Sequence, residues 1–294
     1  MNAKNIVIVV LLLVLAGAVG YLLINSGSST EVMIEDPKDG EVLPVEPDGG
    51  IGDGAEPLPE PESATKREAE TVIGTSVGGS PITAYHFGEG DTEVLLVGGV
   101  HGSYSPNTSA LADEFIAYFE EATIPDNITV TVIPNLNPDG TTTGGTAGLF
   151  NANEVDLNRN FDCEWSETGV WQDRAVSGGS APFSEPEAVA LRDYVETYEP
   201  TAAIVWFSAE GKVYPSACGD APDQRSITLA ATFATAAGYP SEAEFDAYAI
   251  TGDMVNWMAA QDISAISVLL SDHKTTEWEK NKAGIEAVLN MYGE

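Results

Sequence analysis

The sequence predicts an α/β fold over residues 71–294, with helices packed on a mixed, mostly parallel sheet. Two observations carry the prediction. Short apolar runs of strand length alternate with amphipathic stretches of helical length, and hydrophobic residues make up 43% of the chain, enough for a real core. The runs EVLLVGGV (93–100), ITVTVIPN (128–135), TAAIVWFS (201–208) and ISAISVLL (263–270) read as buried strands, because they are apolar on both faces. The stretches NTSALADEFIAYFEEA (107–122), SEPEAVALRDYVETY (184–198), SITLAATFATAA (226–237), TGDMVNWMAAQ (251–261) and TEWEKNKAGIEAVLNMYG (276–293) read as helices, several opening on a capping Ser, Thr or Asn. Such sheets bind ligands beyond the carboxyl ends of their strands, so the residues that follow each apolar run are the ones to inspect.

Three segments precede this domain. Residues 6–24, IVIVVLLLVLAGAVGYLLI, carry no charge and are long enough as a helix to cross a bilayer. They read as an uncleaved transmembrane helix; a cleaved signal peptide is the competing reading, although its apolar region is usually shorter. Lys4 before the span and acids after it place residues 1–5 in the cytoplasm and the remainder outside the cell membrane, a single-pass topology. Residues 25–70 form an acidic, proline-rich linker: 31–70 alone hold 13 acids against 3 bases and 6 of the 17 prolines. That composition predicts a solvated, self-repelling spacer without a core.

Charge and composition exclude several functions. The chain has 12 basic and 46 acidic residues, a net charge of −34, which rules out attraction to nucleic acid or anionic lipid through net charge. Two cysteines rule out a disulfide-dense scaffold and a cysteine-based zinc ribbon. Three histidines, His86, His101 and His273, limit imidazole chemistry.

The strand ends carry HGSY (101–104), FSAEG (207–211) and LLSDH (269–273), and a loop carries NPDG (137–140) followed by DLNRNF (156–161) and FSEPEAVAL. On these motifs, in this order and spacing, the domain resembles the zinc metallocarboxypeptidases, and more closely their bacterial murein-peptide amidase and carboxypeptidase branch. The resemblance covers essentially all of 71–294 and implies a three-layer α/β/α sandwich. It also implies a zinc held by two imidazoles and one carboxylate, with the fourth position left for an attacking water. His101 matches the first ligand position. Tyr104 stands where the family has the ligand Glu, Phe207 where it has the second His, and Leu269 where it has the general-base Glu. Leucine cannot accept a proton. The three replacements are large and mainly apolar, which suggests side chains filling the space of a lost metal. Within the same loops Glu210, Asp272 and His273 are the nearest residues able to compensate.

The resemblance also places Asn158 and Arg159 at the position that grips a substrate carboxylate, and Tyr248 at that of a mobile substrate-contacting tyrosine. A guanidinium fork suits a carboxylate through two parallel charge-assisted hydrogen bonds. The alternative is that Arg159 only ties loops through acids such as Asp139 or Asp156. Cys163 and Cys218 follow two loops that border the same cleft, and an oxidising location predicts a disulfide between them, against two separate buried thiols. Ser184 reads as a helix cap with Glu185 and Glu187 against the helix dipole. Trp165, Trp171, Trp206, Trp257 and Trp278 read as core or cleft wall, and Asp246 and Asp253 as solvated surface acids.

Three functions remain open on these residues. The first is a membrane-tethered pseudo-peptidase, with no catalytic residue and no cofactor, that holds a protein C-terminus or a peptidoglycan stem by its free carboxylate. The second is an active carboxypeptidase or murein-peptide amidase using zinc on relocated ligands, for example His101, Glu210 and His273. The third is a structural or protein-interaction module with a plugged cleft.

Overall fold

A computed structural model describes residues 67–219 and 221–293. The predicted membrane span and all of the linker before Arg67 fall outside the described residues. Among the described residues no helix is long and apolar enough to cross a membrane.

The strands are β1 (Glu70–Thr75), β2 (Pro81–Gly88), β3 (Thr92–Val97), β4 (Ile128–Ile133), β5 (Thr168–Trp171), β6 (Arg174–Ser177), β7 (Ala202–Ser208), β8 (Lys212–Pro215) and β9 (Ser264–Leu270). The helices are α1 (Pro106–Phe119), the single turn α2 (Pro138–Thr141), α3 (Pro186–Tyr198), α4 (Gln224–Ala237), α5 (Met254–Ala260) and α6 (Trp278–Tyr292). Seven strands form one sheet in the order β1-β2-β4-β3-β7-β9-β8, and β5 pairs only with β6. The inner four, β4, β3, β7 and β9, are mutually parallel; β2 joins β4, β1 joins β2 and β8 joins β9 in antiparallel fashion.

Strand alternation divides the core into two layers. Val94, Leu96, Ile204, Trp206, Ile266 and Val268 face α1, α4 and α6, while Leu95, Val97, Ala203, Val205 and Phe207 face α3 and α5. Helices therefore cover both faces, as expected of a three-layer sandwich. Trp206 is fully buried and stacks on Phe115 at 5.2 Å, and its indole nitrogen donates to Asn281 at 3.1 Å.

The four predicted strands are present; β7 and β9 reach their expected carboxyl ends, whereas β3 and β4 stop two or three residues early. β3 stops at Val97 because Gly98 and Gly99 turn the chain out of the sheet; Gly99 has φ +65°, and a Cβ there would lie 2.6 Å from the Asn135 backbone. β4 stops before Pro134, which has no N–H to donate. Strands β1, β2, β5, β6 and β8 were not among the predicted runs.

The helix caps differ from the prediction. Ser184 does not cap α3; Glu185 occupies that position, while the Ser184 hydroxyl donates to Glu185 Oε1 at 2.8 Å. Glu187 is buried and accepts from the Val77 amide at 3.0 Å and from Asn151 Nδ2 at 3.1 Å, so it fastens loops rather than facing solvent. The side chains that cap α4 and α5 are Asp223 and Asp253. Their short carboxylates reach the first-turn amides and also suit the positive end of the helix.

A buried polar knot lies at the amino ends of the strands. Glu93 pairs with Arg67 at 2.7 Å and accepts from Thr131 Oγ1 at 2.6 Å and from the Tyr194 hydroxyl. His86 Nδ1 meets the Thr131 hydroxyl at 3.0 Å.

Candidate functional site

A cavity of about 350 Å³ opens at the carboxyl ends of β7 and β9. His101, Arg159, Phe207, Leu269, Tyr248 and Asp253 are among its walls. Strand alternation explains the two apolar members: Phe207 and Leu269 sit side by side in register on neighbouring parallel strands, both on the α5 side of the sheet.

His101 follows the glycine turn after β3. Its Nε2 lies 3.2 Å from Oδ1 of the fully buried Asp156, which orients the ring. Burial pushes the Asp156 carboxyl up, but the Arg159 charge, the His101 bond and the Asn158 amide outweigh it, and its pKa falls below the ordinary carboxylate value. The Phe207 ring stands 5.6 Å from the imidazole. Tyr104 does not join them, contrary to the expectation that all three replacements fill one space. Its ring packs edge-on at 4.6 Å from His273 and 5.3 Å from Trp171, the geometry that aromatic quadrupoles favour.

The structure also spends the candidate replacement ligands elsewhere. Glu210 pairs with Lys212 Nζ at 3.1 Å, Asp272 accepts the amides of Lys274 and Thr275 at 2.7 and 2.8 Å, and His273 rests on Tyr104. Among the described residues no three His, Cys, Asp or Glu side chains are grouped to hold a metal ion. One oriented imidazole beside Phe207 and Leu269 does not fit the three-ligand zinc centre that the resemblance implies.

The carboxylate-gripping half is built differently. Arg159 is 2% exposed. Its Nε and Nη2 donate to the Val170 carbonyl at 3.1 and 2.7 Å, and Nη1 donates to the Asn158 carbonyl at 2.8 Å. Gly169 on β5 leaves room for its stem, since a Cβ there would come within 2.8 Å of Arg159 Cδ. Among the described residues no carboxylate lies within ion-pair distance of this guanidinium. The acids considered as its anchors are engaged otherwise: Asp156 with His101, and Asp139 with the Ser76 hydroxyl at 2.9 Å and the Gly78 amide at 2.7 Å. Tyr248 approaches with its ring centre 5.9 Å from the guanidinium carbon, and burial raises its phenol pKa.

Asn158 lines the cavity, but its side chain is fixed to α5. Its Nδ2 donates to Asp253 Oδ2 at 2.8 Å and its Oδ1 accepts from the Met254 amide at 3.2 Å. Asp253 was read as a solvated surface acid; it is instead buried, caps α5, and has a pKa raised by burial. Its position before a helix was the available signal. Nothing in the sequence marks the Val170 carbonyl, because a backbone acceptor leaves no trace in residue type. Cys163 and Cys218 form the expected disulfide, with Cα atoms 5.7 Å apart.

Comparison with known proteins agrees with this architecture. The murein-tripeptide amidase MpaA of Escherichia coli O157 superposes with a TM-score of 0.58 at 21% identity, over 79% of this chain and 94% of that one. Carboxypeptidase A of Helicoverpa armigera gives 0.61 at 18% identity, over 76% and 69%. At these identities the likeness is one of fold. By sequence, the chain is 24% identical over 218 residues to gamma-D-glutamyl-L-diamino acid endopeptidase 1 of Lysinibacillus sphaericus, a match that takes in 61% of this chain and 55% of that protein's length. The zinc carboxypeptidase profile, Peptidase_M14, matches residues 63–288. With the profile spanning most of its length and the sandwich matching solved members, the chain belongs to the zinc carboxypeptidase family.

Proposed function

We propose that this domain is a pseudo-peptidase: it holds a peptide by a free carboxylate and does not cleave it. The observation that carries the reading is Arg159, a buried guanidinium aimed by two backbone carbonyls into a cavity and left without a described carboxylate partner. Asp156 and Asp253 feel its charge through space, but no described carboxylate is hydrogen-bonded to it, and an incoming carboxylate would add that direct charge-assisted contact. Phe207 and Leu269 support the second half of the reading, since neither supplies a metal ligand or takes a proton. The names of two relatives concern murein and gamma-D-glutamyl-diamino acid peptides. On that basis we favour a peptidoglycan stem over a protein C-terminus, presented to a domain tethered outside the membrane by residues 6–24.

Isothermal titration of the chain with a stem peptide and with its C-terminal amide tests the seat. The acid binds more tightly, and Arg159→Ala removes the difference, a loss on the order of tenfold to a hundredfold for one charge-assisted contact. Equal affinity for acid and amide refutes the carboxylate seat. Stoichiometric zinc by elemental analysis, together with chelator-sensitive release of C-terminal residues, refutes the non-cleaving half and revives zinc on relocated ligands.

A further inference from the structure

The wall behind Arg159 is made of three loops without strand pairing to one another, at 158–164, 217–219 and 248–253, all contributing to the cavity. Cys163 is where they meet. Its carbonyl accepts from the Gly252 amide at 2.8 Å, and two residues earlier the Phe161 amide donates to the Gly252 carbonyl at 3.0 Å. Gly252 has φ +63°, and a Cβ there would lie 2.1 Å from the Arg159 carbonyl, so its backbone rests directly on that of Arg159. The Cys163 sulfur is bonded to Cys218, whose two chain neighbours, Ala217 and Gly219, line the cavity. Hydrogen bonds thus tie 158–164 to 248–253, and one covalent bond ties 158–164 to 217–219.

We propose that the Cys163–Cys218 disulfide is a redox latch on the carboxylate seat: oxidised, it fixes the loops that position Arg159; reduced, it lets the wall loosen and the ligand leave. This inference rests on the proposed reading of Arg159. The reacting sulfur is that of Cys218, half-buried, whereas Cys163 is 4% exposed. A thiolate of an external dithiol attacks Cys218 Sγ, the protein S–S bond breaks, and Cys163 departs as a thiolate that takes a proton from water. The second thiol of the reductant, deprotonated by solvent, closes the reductant's own disulfide and releases Cys218, which is protonated in turn. Two electrons pass to the protein. All seven strands of the main sheet pair without the bridge, so the latch acts on the wall rather than on the sheet.

The test titrates the full chain with a free-acid stem peptide and its amide, before and after anaerobic dithiothreitol, with circular dichroism recording the fold and thiol counting recording reduction. The expected result is a loss of about tenfold in affinity for the acid on reduction, the scale set by re-ordering a long side chain and its loop at each binding event. The amide is unaffected, ellipticity is unchanged, reoxidation restores binding, and the Gly252 amide exchanges faster in the reduced protein. Cys163→Ser/Cys218→Ser reproduces the reduced state. Equal acid affinity in both states, loss of ellipticity on reduction, or no thiols released by dithiothreitol in the native protein each overturns the latch. Failure of the oxidised protein to discriminate acid from amide removes the seat itself, and the latch with it.

Discussion

Burial of His86 beneath Thr131 lowers its pKa from 6.5 to about 4, desolvation being the larger cause and the Arg67 charge the smaller. In the unfolded chain the same imidazole titrates at its ordinary value. Between those two values the unfolded state holds a proton that the native state refuses, so stability falls as pH drops from about 6.5 toward about 4. Thermal melts across that window should therefore show a falling midpoint, and His86→Gln, which keeps a polar partner for Thr131, should flatten the slope. An unchanged slope in the variant would show that other groups cause it. At this scale the sequence was legible where residue type is the message: His101, Arg159, Phe207 and Leu269 all reach the cleft. It was silent where type is not the message, as with the Val170 carbonyl, and misleading at Asp253, whose carboxylate is drawn inward by the α5 amides.

The β5–β6 hairpin shows what an element contributes that its residues do not announce. Two four-residue strands with no place in the main sheet present one carbonyl, that of Val170, to two nitrogens of Arg159, and one missing side chain, at Gly169, to its stem. Gly169→Ala is expected to push the guanidinium off its carbonyl and weaken acid-peptide affinity about tenfold, roughly 1.4 kcal/mol. The melting temperature should change little, because the hairpin lies outside the seven-stranded sheet. Titration and calorimetry on the same sample decide it; unaltered affinity would mean that the hairpin does not aim Arg159. The hairpin escaped prediction because TGVW and RAVS are too short and too mixed in polarity to stand out, whereas β3, β4, β7 and β9 are buried on both faces and stood out clearly.

For the whole molecule, the excess of acids is the dominant fact: residues 71–294 carry 33 acids against 8 bases. Self-repulsion on that scale opposes compactness. Raising salt from about 0.01 M to about 1 M, which shortens the Debye length from roughly 30 Å to roughly 3 Å, should raise the unfolding midpoint steadily. A midpoint that falls with salt would show that paired charges outweigh the repulsion. The disulfide acts at the same scale, and closing its loop contributes about 4 kcal/mol in the chain-entropy treatment. The three-layer arrangement was legible as a whole because alternating strands and helices leave few ways to cover both faces of a sheet.

Strand order also governs how the domain bears tension. The chain enters through β1, at one border of the sheet, and the cavity opens beside β9, five strand spacings or roughly 24 Å across. A pull transmitted from the amino-terminal side is therefore met first by the β1–β2 ladder and by the Arg67–Glu93 bond, and those contacts would peel before any strain reached the loops around Arg159. Tension at one border of the sheet can thus leave the far border at rest.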